Sequence, residues 1–226
     1  MSDSPPSYQP PADIKTRLKA SYDAMAPEYN EWTTGHFAIR LEYLDKLISK
    51  LLEKKGRKSV LELGCGCGIP VSEKLLSYPD VCVTANDLSA TQIALARQNL
   101  KEAGDRVQFL EGDMTALDFA TGSFDAAVAF YSIIHLPRDE QVTLLGDIFK
   151  WLKPGGYLLA NFSAQESQGV EMEKWLAEEG WMFWAGWGRE GTVGKIRDAG
   201  LEILIEEVKE DVVDATDFLW VIARKD

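Results

Sequence analysis

The sequence predicts an α/β fold: a doubly wound, mostly parallel sheet with helices on both faces. Three observations lead there. Short, near-continuous apolar runs alternate with amphipathic segments from Ser59 to Phe162. A glycine-rich turn, Gly64-Cys65-Gly66-Cys67-Gly68, directly follows the first run, and acidic residues follow the second and third. Strands covered on both faces read as unbroken apolar runs, and parallel neighbours need crossovers between them.

Taken in order, Ile14, Leu18 and Tyr22 recur four apart, predicting a helix that Asp13 could cap. A second helix is expected from about Phe37 to Lys54, with Leu41, Leu44, Leu47, Ile48, Leu51 and Leu52 on its apolar face. Ser59–Leu63 is the first strand, and a helix follows near Val71 to Leu76. Val81–Ala85 is the second strand. The helix after it runs from Ser89, its cap, to Ala103, where Gly104 ends it. Val107–Leu110 and Phe124–Phe130 are the third and fourth strands. An amphipathic helix over Glu140–Leu152 is closed by Pro154-Gly155-Gly156, and Tyr157–Phe162 is the fifth strand. Glu166 to Trp187, rich in Trp, Met and Gly, reads as an inserted helix and loop. Thr192–Ala199 is a further helix, and Leu201–Val208 and Phe218–Ala223 have the length and β-branched content of two closing strands, about seven in all.

The 226 residues suffice for one such domain with a sizeable core. Residues 1–12, with four prolines between Ser2 and Pro11, are expected to form a disordered tail. Residues 13–226 then form a single domain: a helical cover (13–56), a ligand-binding core (57–163), an insertion that covers the substrate (164–200) and the closing strands (201–226). The net charge of −12 argues against a nucleic-acid partner. Three cysteines and two histidines offer neither a paired disulfide framework nor a zinc ligand set, so no metal is expected. No run approaches the roughly 18 apolar residues of a spanning helix, and the N-terminus lacks a signal-peptide pattern. A cytoplasmic protein with no membrane partner is the expectation; nothing in the sequence sets its oligomeric state.

In sheets of this kind ligands bind beyond the carboxyl ends of the strands. Asp87 ends the second strand about 20 positions after the glycine turn, where a carboxylate can accept ribose hydroxyls. Both a nicotinamide dinucleotide and another adenosine-containing ligand fit that arrangement. Gly64-x-Gly66-x-Gly68 is compressed relative to the pyrophosphate-binding G-x-G-x-x-G and lacks a Walker ending, which makes a smaller ligand attractive. Asp113, after the third strand, is placed to accept an adenine amine beside the apolar Met114; alone, it reads equally well as a turn or cap residue.

LELGCGCG, NDLS, EGDM, FDAAVAFYSIIHL and LKPGGYLL together resemble, in order and spacing, the motifs of class I S-adenosylmethionine-dependent methyltransferases. The leading YDAMAPEYNEW is similar to the N-terminal segment of the ubiquinone/menaquinone-biosynthesis group. The resemblance implies a Rossmann-like sheet with an antiparallel final strand, S-adenosyl-L-methionine as cofactor and S-adenosyl-L-homocysteine as product. It assigns Glu62, Gly64, Cys65 and Gly66 to the methionine end of the cofactor. Asp87 would hold the ribose, with Leu88 against adenine, and Gly112, Asp113 and Met114 would meet the adenine edge. Phe130 and Tyr131 would lie beneath the cofactor near the transferring methyl, and Tyr22 and Tyr29 would close over it. Cys67 departs from the small polar residue often found there.

Methyl transfer from a sulfonium needs in-line placement above all, and a base only when the nucleophile carries a proton. His135 is the candidate base, and an equally good structural residue orienting the next helix; Tyr22 is a candidate hydrogen-bond donor or a packing partner of Leu18. His36, between the first two helices, would line the acceptor pocket or sit as a solvated loop histidine. Trp181, Met182, Phe183, Trp184 and Trp187 would wall an apolar pocket for a small organic acceptor, or pack the insertion onto the sheet. Glu206, Glu207, Glu210 and Asp211 read as a solvated edge and turn. The function expected is methyl transfer to a small molecule with the acceptor atom open. The alternatives are a protein or peptide methyltransferase, a non-methylating accessory protein or cyclase on the same fold, and a nicotinamide-dependent dehydrogenase.

Overall fold

A computed structural model describes residues 8–213 and 215–226. Its main sheet contains β1 (Lys58–Leu63), β2 (Val81–Asp87), β3 (Val107–Glu111), β4 (Phe124–Ala129), β5 (Leu152–Ser163), β8 (Leu201–Glu210) and β9 (Asp217–Lys225). The order is β3-β2-β1-β4-β5-β9-β8; β1 to β5 are parallel, and β9 runs antiparallel between β5 and β8. The expected seven-stranded sheet with an antiparallel final strand is therefore what forms.

Alternating side chains build two apolar layers. On β9, Phe218, Trp220 and Ile222 enter one layer with Val60, while Leu219, Val221 and Ala223 enter the other with Leu61 and Leu63. The first layer is closed by α3 (Phe37–Leu52), α4 (Val71–Leu76) and α5 (Ala90–Asn99), the second by α6 (Arg138–Trp151) and α7 (Gly188–Asp198). Glu62 interrupts this pattern as a buried carboxylate near the carboxyl end of β1.

The chain departs from expectation in several places. Asp13 makes no side-chain cap for α1 (Ile14–Ala24), and a short α2 (Ala26–Trp32), begun at Ala26-Pro27, precedes α3. Ser89 does cap α5, accepting from the Gln92 N–H at 3.1 Å, but α5 stops at Asn99 and a 3₁₀ segment continues to Arg106 through Gly104 at φ 59°. The inserted segment is not helical. It is an antiparallel hairpin of β6 (Glu166–Glu173) and β7 (Trp181–Trp187). Val170 and Met172 in β6 and the aromatic run of β7 favour a pleated pair. β7 and α1 share a third apolar cluster of Leu18, Met25, Trp181, Met182, Phe183 and Ala185. Segments from distant parts of the sequence thus form one cover over the carboxyl ends of the strands.

Of the expected tail, residues 1–7 lie outside the described residues, and Tyr8 rests against the hairpin, where a Cβ on Gly169 would stand 2.3 Å from its hydroxyl. Among the described residues no helix is long and apolar enough to cross a membrane.

Candidate functional site

The glycine turn is shaped from behind by packing and from the front by a carboxylate. Gly64 has φ 75°, and a Cβ there would stand 2.4 Å from Cβ of Ser132, whose hydroxyl donates to the Leu63 carbonyl at 2.8 Å. A Cβ on Gly66 would meet nothing, leaving an open cradle. Asp87 accepts the Gly66 N–H at 2.8 Å through Oδ2 and the Ser89 N–H at 2.9 Å through Oδ1. Burial pushes its pKa upward against those two N–H groups. Each carboxylate oxygen retains acceptor capacity for a further hydroxyl.

Asp87 lines a cavity of about 80 Å³ with Leu18, Tyr22, Leu88, Asp113 and Met114. Asp113 accepts from the Thr115 N–H and hydroxyl at 2.9 and 2.8 Å, and Lys15 Nζ lies 2.6 Å from it. Burial works to raise its pKa, but Lys15 and Thr115 prevail and hold it below the usual carboxylate range. The turn-capping and ligand-facing readings of Asp113 are therefore compatible. Gly112 stands behind the cavity wall: its N–H donates to the Asp87 carbonyl at 2.9 Å and its carbonyl accepts from Asn86.

A second cavity opens on the other side of the glycine turn, lined by Arg40, Glu62, Cys65, Gly66, Cys67 and Phe130 among others. Glu62 accepts a hydrogen bond from the Ser72 hydroxyl. Burial pushes its pKa up to about 8, against the opposing effects of Ser72 and Arg40. Arg40 is 8% exposed; it donates to Thr33 Oγ1 at 2.6 Å, while its Nε has no hydrogen-bond partner among the described residues. A buried carboxyl group, able to give up its proton to an incoming cation, and a buried guanidinium around an open glycine cradle form a fitting receptor for the ammonium and carboxylate of an amino-acid end. Sequence reasoning missed Arg40, although it falls on the stripe of Leu44, Leu47 and Leu51, where a charge signals a partner.

The third space is a chamber of about 410 Å³. Tyr22, Tyr29 and His135 line both this chamber and the Asp87 cavity, forming the wall between them. His135 lies on the turn after β4. Its Nδ1 is 2.8 Å from the Phe183 carbonyl and its Nε2 2.9 Å from the Tyr22 hydroxyl. A carbonyl only accepts, so Nδ1 carries the hydrogen and Nε2 offers its lone pair to the Tyr22 O–H. Burial lowers the His135 pKa to about 4, so the ring is neutral at pH 7; burial likewise pushes the Tyr22 pKa up.

Around the chamber stand Trp32, Tyr131, Trp175, Trp184 and Phe218, with Arg40 at one side. Trp175, in the hairpin turn, meets Trp32 of α2 edge-on at 5.2 Å and Trp184 at 5.8 Å. Tyr131 is held at φ 53°; its N–H donates to Asn161 Oδ1 at 2.7 Å and its hydroxyl to Asp211 at 2.8 Å. It faces the chamber, whereas Phe130 faces the second cavity.

Several expected pocket residues lie elsewhere. His36 is neither solvated nor a lining residue: it is 1% exposed, packed between the Trp32 and Tyr131 rings, with Nε2 3.1 Å from Asp211. Asp211, expected on a solvated turn, is 3% exposed. Trp181, Met182 and Phe183 are buried in the cluster with α1, and Trp187 stacks under the Arg138 guanidinium at 3.6 Å. Trp184 alone of that aromatic run lines the chamber, because Trp181, Met182 and Phe183 are taken up by the cluster with α1 and Trp187 by Arg138. Trp32, Trp175 and Phe218, which sequence reasoning missed, come from three separate elements that only the fold brings together.

Comparison with known proteins bears on this arrangement. Residues 60–156 match the family described as "Methyltransferase domain". The chain is 30% identical over 196 residues to a phosphoethanolamine N-methyltransferase of Triticum aestivum, covering 85% of this chain and 36% of that protein. It is 30% identical over 147 residues to a demethylmenaquinone methyltransferase of Lactococcus lactis, covering 62% of this chain and 56% of that protein. The chain therefore spans between a third and just over half the length of these curated relatives. Its fold superposes with a TM-score of 0.77 on a 1,6-didemethyltoxoflavin-N1-methyltransferase of Burkholderia thailandensis, solved with bound 1,6-didemethyltoxoflavin and S-adenosylhomocysteine. That likeness covers 99% of this chain and 93% of that one at 20% identity.

Proposed function

From the premise that the chain belongs to the class I S-adenosylmethionine-dependent methyltransferases, we propose that it methylates a small organic molecule held in the aromatic chamber. When bound, S-adenosylmethionine supplies an electrophilic methyl on a sulfonium sulfur. The observation that carries the reading is the wall of Tyr22, Tyr29 and His135, which belongs at once to the Asp87 cavity and to the chamber.

In this reading Asp87 receives the ribose hydroxyls, and Asp113, Met114 and Leu88 receive the adenine. Glu62 and Arg40 receive the ammonium and carboxylate at the methionine end, and the bare Gly66 lets the backbone approach. Tyr22 and His135 stand at the junction, where His135 Nε2 takes up a proton released by the acceptor. Holding two reactants in register across that wall is worth up to roughly 7–11 kcal/mol in ideal cases, and proton acceptance about 10²–10⁴-fold. The chamber's volume of about 410 Å³ and its aromatic lining suit a small molecule better than a peptide.

Incubation with methyl-labelled S-adenosylmethionine and a panel of phenols, heteroaromatic N–H acids, thiols and amines tests the proposal. Label should appear in one class of acceptor. Cofactor binding with no transfer across the panel would instead favour a binding or cyclase role on the same fold.

A further inference from the structure

The chamber's own chemistry narrows what it receives. Its rim is aromatic on several sides: Trp32, Trp175 and Trp184 from the cover, and Tyr131 and Phe218 from the strand ends. Those last two rings meet edge-on at 4.9 Å, which sets the angle between them, and Ile134, Val170 and Met172 complete the apolar lining. An aromatic box of this kind accommodates either a flat ring system or a cationic ammonium. Charge decides between them. No carboxylate lines the chamber among the described residues, and its one permanently charged side chain is Arg40, the cation already proposed to take the cofactor's carboxylate. A cofactor sulfonium across the Tyr22–His135 wall would add further positive charge. An ammonium acceptor would meet no countercharge in the lining and would face the sulfonium, whereas a neutral or anionic ring is not opposed in this way.

The proton acceptor narrows the class further. His135 Nδ1–H is committed to the Phe183 carbonyl, so only Nε2 is available, and it already receives the Tyr22 hydroxyl at 2.9 Å. From these contacts we infer that the acceptor is a planar aromatic or heteroaromatic molecule that presents a weakly acidic O–H or N–H to the Tyr22 hydroxyl. This rests on the methyltransferase reading and specifies its substrate class.

The acceptor's O–H or N–H bond breaks; its proton passes to Tyr22 Oη as the proton already on Tyr22 moves to His135 Nε2. The electron pair left on the acceptor atom forms the bond to the methyl carbon as the sulfur–methyl bond breaks, leaving neutral S-adenosylhomocysteine. One positive charge stands at the junction before the step, on sulfur, and one after it, on His135, so no net charge is created in the buried site. A buried neutral histidine with a low pKa is a weak base, which suits acidic ring protons and not those of aliphatic alcohols.

Tryptophan fluorescence tests this in the intact chain saturated with S-adenosylhomocysteine, using 4-hydroxyquinoline, its O-methyl ether and choline as probes. The hydroxyquinoline should quench saturably and bind at least about tenfold more tightly than the ether and choline. Trp175→Ala should weaken it about tenfold, and His135→Gln should abolish the preference for the acid over its ether. The ranking on the unaltered chain decides the matter even if a variant fails to fold. Tighter binding of choline, or no saturable quenching by either ring compound, overturns the inferred acceptor class while S-adenosylhomocysteine binding still supports the methyltransferase reading. Failure of S-adenosylhomocysteine itself to bind overturns both.

Discussion

Replacing Glu62 with glutamine probes the proposed methionine end of the site through its protons. The Glu62 carboxyl has no full ionic partner in the free protein, and burial raises its pKa from 4.5 to about 8. An ammonium ligand needs the carboxylate, so binding at neutral pH must expel the proton. Affinity for S-adenosylhomocysteine should then rise about tenfold per pH unit between roughly pH 6 and 7.5 and level off above about 8. The ligand's own amino group belongs to a free amino acid, whose adjacent carboxylate keeps it protonated across that range, which leaves the slope to Glu62. The stability effect has the opposite sign. The folded state holds an extra proton between the two pKa values, so Glu62 destabilises the free protein increasingly as pH rises from about 4.5 to 8, and glutamine removes that dependence. Losing the charge-assisted contact should weaken binding at about pH 8 by roughly 1.5–3 kcal/mol, or about 10–150-fold. Calorimetry in buffers of different ionisation enthalpy measures affinity and proton release together. Equal pH slopes in the two proteins, or a flat profile in the unaltered one, would refute the reasoning.

Asp87→Ala removes the acceptor of the Gly66 and Ser89 N–H groups along with the proposed ribose contact, and should weaken S-adenosylhomocysteine by about 1.5–3 kcal/mol in the same calorimeter; unchanged affinity would displace the ribose assignment. Asp23 of α1 accepts from the Ser89 hydroxyl at 2.6 Å and the Thr91 N–H at 3.0 Å, acting as a cap from outside the helix. Asp23→Ala should cost about 1 kcal/mol, lowering the melting temperature by roughly 2–4 °C; an unchanged melt contradicts that cap. His135→Gln should reduce turnover of an O–H or N–H acceptor by about 10²–10⁴-fold while leaving S-adenosylhomocysteine affinity within about threefold; full turnover would remove His135 as the proton acceptor.

The parts of this account that sequence carries best are those governed by local periodicity. Strands covered on both faces announced themselves as apolar runs, and the corner between β1 and α4 announced itself through glycine. Asp87 and Asp113 were visible because the crossover topology fixes where a strand-ending residue must point. The hairpin was not, because β6 is mostly exposed and carries little apolar pattern of its own, and its pairing with β7 across residues 174–180 is written in neither segment. His36 and Asp211 lie 175 positions apart in the sequence and become buried only as partners. Arg40 was overlooked although its spacing from Leu44 and Leu47 marked a buried charge. The chamber was least legible of all, since α2, the hairpin and β9 each contribute a ring and no single segment carries the pattern.

The claim that the glycine cavity is built for an adenosyl cofactor is tested most directly by titrating the chain with S-adenosylhomocysteine and, separately, with a nicotinamide dinucleotide. One-to-one binding of S-adenosylhomocysteine, strongly weakened in Asp87→Ala, with no measurable dinucleotide binding, is the predicted result. Binding of the dinucleotide alone would contradict the account.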